Sequence, residues 1–251
     1  MPASALLLGL SAAVRAASLN LCTDEYLMLL ARPDQIVGVS YLSREPAESP
    51  LWRTARRYPG NRGSVEDVLS LRPTLILMMG GGGRASGLLT RRLGLRAIDL
   101  PYATSIEGVE ENLRKVATAL GDARRAHPWI ARIQRLRASA PTRAVDAIWI
   151  SGRGDSLAPG SLGAEWLRLA GFQQRALPRG RAHLETLLTK PPKVLIRSDY
   201  RSGQMSGGLR WLDHTVIRHA KARQIVTDGR PWTCMGPLMT LEIERLRRSP
   251  R

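Results

Sequence analysis

The side chains in this sequence able to do chemistry are few, and their spacing excludes more than it admits. The four histidines, His127, His183, His214 and His219, include no pair four residues apart, so no two share a helix face as zinc ligands. The only cysteines are Cys22 and Cys234. They are open to three readings: one disulfide formed after export, two buried thiols, or residues of a cleft. Two cysteines alone do not make a metal site. No Gly-x-Ser-x-Gly elbow occurs, and no Ser, His and Asp set is suggested by position. The run Gly80-Gly81-Gly82-Gly83 follows an apolar stretch and has the look of a dinucleotide loop. Gly80, Gly82 and Ala85 fit its spacing, and Asp99 lies at a distance suited to a ribose contact. That reading would make the chain a cytosolic nucleotide-dependent oxidoreductase working through Gly80 to Asp99, but no catalytic acid–base set accompanies the loop. No Gly-Lys-Ser/Thr follows it, so it is not a triphosphate loop. Arg153-Gly154-Asp155 spells an adhesion tripeptide that recurs often by chance. Trp232 stands in a Gly/Pro loop ahead of the terminal helix. A flat ring there suits a large planar ligand at a cleft mouth; the bland reading packs it under that helix.

The elements that must position these residues repeat. Val65 to Leu77 reads as a short helix, a turn at Pro73 and a strand. Leu184 to Ile196 matches it without a gap, pairing Glu66 with Glu185, Leu69 with Leu188 and Pro73 with Pro192. Glu165 to Ala170 likewise echoes Glu25 to Leu30. A repeat this far apart means two similar lobes rather than a solenoid. Leu75 to Met79 is apolar without alternation, as in a strand covered on both faces. Strands are expected at 14–21, 36–40, 75–79, 96–100, 144–150 and 224–227, alternating with helices, which argues for parallel α/β lobes. Residues 41–62 read as irregular. The middle is helical, and its second helix, from about Pro128 to Ala140, divides the repeats. The plan is an N-terminal lobe over 14–122, a connecting helix over 123–141 and a C-terminal lobe over 142–251.

The chain has 251 residues, 43% of them hydrophobic, which suits a folded protein. Its net charge of +17 is carried almost wholly by arginine. No basic run exceeds two residues and none interleaves with aromatics, so the charge reads as a solvated surface and not as a nucleic-acid groove. Ala5 to Ala13 resembles the apolar part of a secretory signal and is too short to span a bilayer. Cleavage after Ala13 or Ala16 fits, and the basic start of such a signal is missing. Leu21 before Cys22 argues against a lipoprotein anchor.

Three segments carry a family likeness: Ser18-Leu19-Asn20-Leu21-Cys22-Thr23-Asp24-Glu25, Gly63-Ser64-Val65-Glu66 with Leu71-Arg72-Pro73, and Trp232 with Gly236-Pro237. They resemble the periplasmic solute-binding proteins that deliver ferric siderophores, heme or cobalamin to ABC importers. The resemblance runs from about Val14 to Arg247. It implies two Rossmann-like lobes with parallel sheets joined by a single long helix, with a metal chelate held in the cleft between them. It implies a periplasmic monomer with no catalytic role and no cofactor, partnered by an ABC permease dimer. Carried onto this sequence, the docking glutamates fall on Glu66 and Glu185. The cleft residues fall on Asn20, Cys22, Tyr41, Arg62, Arg84, Tyr200, Arg201 and Trp232, with the arginines suited to ligand carboxylates. The sequence departs from the family in Thr74 and Lys193, which stand where an Asp commonly follows the proline.

Overall fold

The computed structural model describes residues 13–80, 84–200 and 207–249. It begins with strand β1 (Ala16–Ser18), helix α1 (Leu21–Leu30) and strand β2 (Ile36–Ser40). There follow α2 (Trp52–Ala55), β3 (Gly60–Asn61), α3 (Glu66–Leu69), β4 (Leu75–Met79), α4 (Arg84–Arg92), β5 (Arg96–Leu100) and α5 (Ile106–Ala119). A 3-10 turn over Ala123–Ala126 leads into α6 (His127–Ala138). The second half holds β6 (Val145–Ile150), α7 (Leu162–Ala170), β7 (Phe172–Gln174), α8 (Leu184–Thr189) and β8 (Val194–Asp199). It ends with α9 (Gly207–Leu212), α10 (Thr215–Arg218), β9 (Arg223–Asp228), α11 (Arg230–Cys234) and α12 (Met239–Arg248).

Both sheets are parallel, in the orders β3-β2-β1-β4-β5 and β7-β6-β8-β9. The second order is the first without an equivalent of β3. The gapless sequence match lies on α3–β4 in one lobe and α8–β8 in the other. The expected α/β class and duplicated lobes are therefore what the chain forms. Several local expectations need correcting. β1 is shorter than the 14–21 stretch, because Asn20 caps α1: its Oδ1 accepts from the Thr23 amide at 3.0 Å. Residues 41–62 are not wholly irregular, since α2 and the two-residue β3 lie there. The connecting helix does not fill 123–141. Its first turn is 3-10, started by Asp122, whose carboxylate accepts from the Arg124 amide. The α-helix proper spans twelve residues, about 18 Å, with Pro128 in its first turn where no amide partner is lost.

The strands alternate between two destinations. Leu75, Leu77 and Met79 of β4 and Trp149 and Ile196 of the second sheet enter one continuous core with Tyr26, Leu27, Leu113, Ile133, Trp166 and Ile243. That core belongs to both lobes. Ile76 and Met78 face the other way, onto Val65 and Val68 around α3. Ile148, Ile150 and Leu195 face Leu187 and Ile217 around α8 and α10. Burial on both faces is why β4 and β8 read as unbroken apolar runs.

Candidate functional site

In an open parallel sheet, loops at the carboxyl ends of the strands meet where the strand order reverses. In the first sheet this point lies between β1 and β4, and in the second between β6 and β8. Asn20 and Cys22 follow β1, Tyr41 follows β2, Arg62 follows β3 and Arg84 opens α4 after β4. Tyr200 follows β8 and Trp232 lies after β9. The sequence-predicted ligand residues thus fall at one kind of place, the carboxyl edges. Arg201 and the side chain of Arg84 lie outside the described residues, as do Gly81, Gly82 and Gly83.

Their individual roles differ. Tyr41 is half exposed and Arg62 is exposed. Asn20 is engaged as the helix cap described above. Cys22 and Cys234 are disulfide-bonded across 212 residues, linking the first turn of α1 in one lobe to the end of α11 in the other. Among the three readings of the cysteines the structure selects the disulfide. Tyr200 donates its hydroxyl to Glu48 at 2.5 Å, from the second lobe to the first. Arg230 crosses the same way, donating to the Pro46 carbonyl at 2.9 Å while chelating Asp228. Trp232 corrects the expectation of a ring at a cleft mouth. It is 4% exposed, its centroid lies 5.2 Å from that of Trp149, and its indole N–H donates to Thr227 at 2.8 Å. Its single donor is satisfied inside the core, which makes the buried position stable.

Below the carboxyl edges, acidic residues that sequence reasoning treated only as helix starts organise the junction. Glu25 is buried and its Oε1 accepts from the Leu238 amide at 2.7 Å, at the head of α12. Glu165 occupies the equivalent position of α7 and accepts from the Ile106 amide at 2.9 Å, at the head of α5. Each lobe's first glutamate caps the last helix of the other lobe. Asp24 is also buried and reaches the end of β2, accepting from the Ser40 amide at 3.0 and 3.1 Å and from the Ser40 hydroxyl. Burial pushes the carboxyls of Asp24 and Glu25 up to about 7, against the lowering effect of their hydrogen bonds. Asn61 ties β3 to its neighbours by donating to Ser18 and Val39 carbonyls, both at 2.8 Å. Leu21, Glu25, Glu48, Arg230 and Cys234 surround a void of about 10 Å³, room for one water at most. The junction floor is therefore closed.

Glu66 and Glu185 stand in the first turns of α3 and α8, on the outer layers of their lobes. Both are exposed, and among the described residues neither side chain has a partner. Among the described residues no three His, Cys, Asp or Glu side chains gather as metal ligands, and no helix is long and apolar enough to cross a membrane. The dinucleotide reading fails on position: the glycine run follows β4, not the first strand, where such a loop belongs.

The fold is shared with solved proteins. A periplasmic heme-binding protein from Pseudomonas aeruginosa aligns with TM-score 0.69 at 22% identity, over 93% of this chain and 91% of that one. The periplasmic heme-binding protein RhuT from Roseiflexus sp. RS-1 aligns with TM-score 0.67 at 21% identity, over 94% and 97%. The periplasmic vitamin B12-binding protein BtuF of Vibrio cholerae aligns with TM-score 0.62 at 20% identity, over 93% and 94%. No protein of curated function matches by sequence. A family model described as periplasmic binding protein matches residues 17–206, the span that carries both switch-point edges. The chain belongs to the periplasmic binding protein family, whose members bind solutes for transport and are not enzymes.

Proposed function

We propose that the chain is the substrate-binding component of an ABC importer. It captures a metal chelate, a ferric siderophore, heme or cobalamin, between the carboxyl edges of its lobes and hands it to a permease dimer. The observation that carries this reading is the closed, disulfide-linked junction that sets two duplicated switch-point edges beside each other. The heme and vitamin B12 named for the structural neighbours favour a large planar chelate. The protein works as a periplasmic monomer. Export through its apolar start accords with a disulfide, which persists in that compartment. Glu66 and Glu185, exposed at matching positions, supply a two-point dock for permease arginines.

Tryptophan fluorescence titration with heme, cyanocobalamin and ferric catecholate and hydroxamate chelates tests the cargo. Saturable quenching by one class is expected; absence of binding to all of them rejects the metal-chelate reading. For the dock, Glu66→Ala with Glu185→Ala is expected to abolish uptake in vesicles reconstituted with the permease while cargo affinity is retained. Uptake that survives the double substitution removes the assigned role.

A further inference from the structure

Two turns at the carboxyl edge of the second sheet are built from the same pair of residues. Arg153-Gly154 follows β6, beside the switch point, and Arg179-Gly180 follows β7. In both pairs both residues are left-handed: φ is 62° at Arg153 and 76° at Gly154, 55° at Arg179 and 66° at Gly180. The Gly152 carbonyl accepts from the Asp155 amide at 3.4 Å, and the Pro178 carbonyl from the Arg181 amide at 3.2 Å. These are type I′ turns, whose first central position suits Gly, Asn or Asp and disfavours a long side chain. The turns are joined by backbone bonds from Ser156 to Gly180 at 2.9 Å and from Ala182 to Gly154 at 2.8 Å. A Cβ on Gly154 would lie 2.6 Å from the Ala182 carbonyl and 2.7 Å from the Trp211 ring, so the backbone is fixed from two sides.

Beside them is a cavity of about 540 Å³ lined by Arg153, Arg181, His183, Leu184 and Trp211. Arg181 is held in place: it pairs with Asp155 at 3.1 Å and donates to the Arg153 carbonyl at 2.8 Å. Among the described residues Arg153 and Arg179 have no acidic partner, and both are exposed. A residue kept in a disfavoured conformation by its surroundings marks a place where side-chain position matters. A guanidinium fork fits a carboxylate in two-point fashion, and the Trp211 and Leu184 side of the cavity suits an apolar body.

We propose that this double turn is the anion-reading wall of the second lobe, with Arg153 binding a carboxylate carried by the cargo. The proposal rests on the cargo-binding reading above and narrows it to chelates that bear carboxylates. The test is isothermal titration of the whole protein and of Arg153→Gly with four probes: heme, heme dimethyl ester, cyanocobalamin and citrate. Glycine takes the left-handed backbone without strain, so Arg153→Gly is expected to melt no lower than the parent. It is nonetheless expected to lose about tenfold or more in affinity for heme and citrate, the size of one lost charged hydrogen bond. Affinity for the ester and for cyanocobalamin is expected to stay the same. Arg153→Asn, also tolerant of the left-handed region, is expected to behave alike. If citrate binds and is lost in Arg153→Gly while no chelate binds, the wall stands and the chelate reading falls. Equal heme affinity in parent and variant, an ester bound as tightly as heme, citrate binding that survives the substitution, or no binding of either heme or citrate to the parent overturns the proposal.

Discussion

Asp24 and Glu25 are adjacent acids buried where two lobes meet, and their burial sets a pH dependence. Both carboxyls titrate near 7 in the folded protein, far above their ordinary values of 3.8 and 4.5. The folded state therefore holds protons that the unfolded chain has already released. Stability contributed by these groups is fully present below about pH 4 and is lost progressively as pH rises toward 7. Urea unfolding is expected to give a lower midpoint at pH 8 than at pH 5. Glu25→Gln retains an oxygen for the Leu238 amide without the charge, so it is expected to flatten this dependence and to exceed the parent in stability at pH 8 by on the order of 1 kcal/mol. An unchanged slope would mean that Glu25 is solvated in the folded protein. The sequence showed Asp24 as part of a helix start; only the fold brings it to Ser40, sixteen residues on.

Among the helices, the reciprocal caps divide unequally. α5 has a cap of its own, Ser105, whose hydroxyl accepts from the Gly108 amide at 3.3 Å, in addition to Glu165. α12 has no side-chain cap at Leu238 and relies on Glu25. Glu165→Ala is expected to cost about 1 kcal/mol in a urea titration. Glu25→Ala is expected to cost more at pH 5, where its charge is not yet a burden. Gly236 closes against this cap, since an added Cβ would lie 2.7 Å from Glu25 Oε1. Gly236→Ala is therefore expected to destabilise by about 1–3 kcal/mol, and by less in a Glu25→Ala background. Equal costs in both backgrounds would show that Gly236 acts through something other than the cap. α7 and α1 could be matched in the sequence, Glu165 to Glu25, yet nothing local indicates that each glutamate serves the opposite lobe.

For the molecule as a whole, the question is whether two lobes behave as one. The disulfide closes a loop of 212 residues, for which chain entropy gives about 5 kcal/mol as an upper range. Cys22→Ser with Cys234→Ser is expected to lower the melting temperature by several degrees. Because one apolar core runs through both sheets, calorimetry of that variant is still expected to show a single transition. Two separated transitions would mean that the covalent link, not the core, couples the lobes. The sequence by itself determined the α/β class, the duplicated lobes and strands β4 and β8, because an apolar run or a helical spacing reports which faces of a local segment avoid water. It left β7 unseen, since three residues ending in the buried Gln174, whose side chain accepts from the Trp149 amide, carry no periodic signal. Only the tertiary structure decided that Trp232 is buried, that Cys22 meets Cys234 and that Tyr200 meets Glu48. The cysteines, and Tyr200 and Glu48, lie far apart in the chain and are joined by the docking of one lobe on the other, while Trp232 is buried by packing on Trp149 of a strand more than eighty residues earlier; local pattern encodes neither.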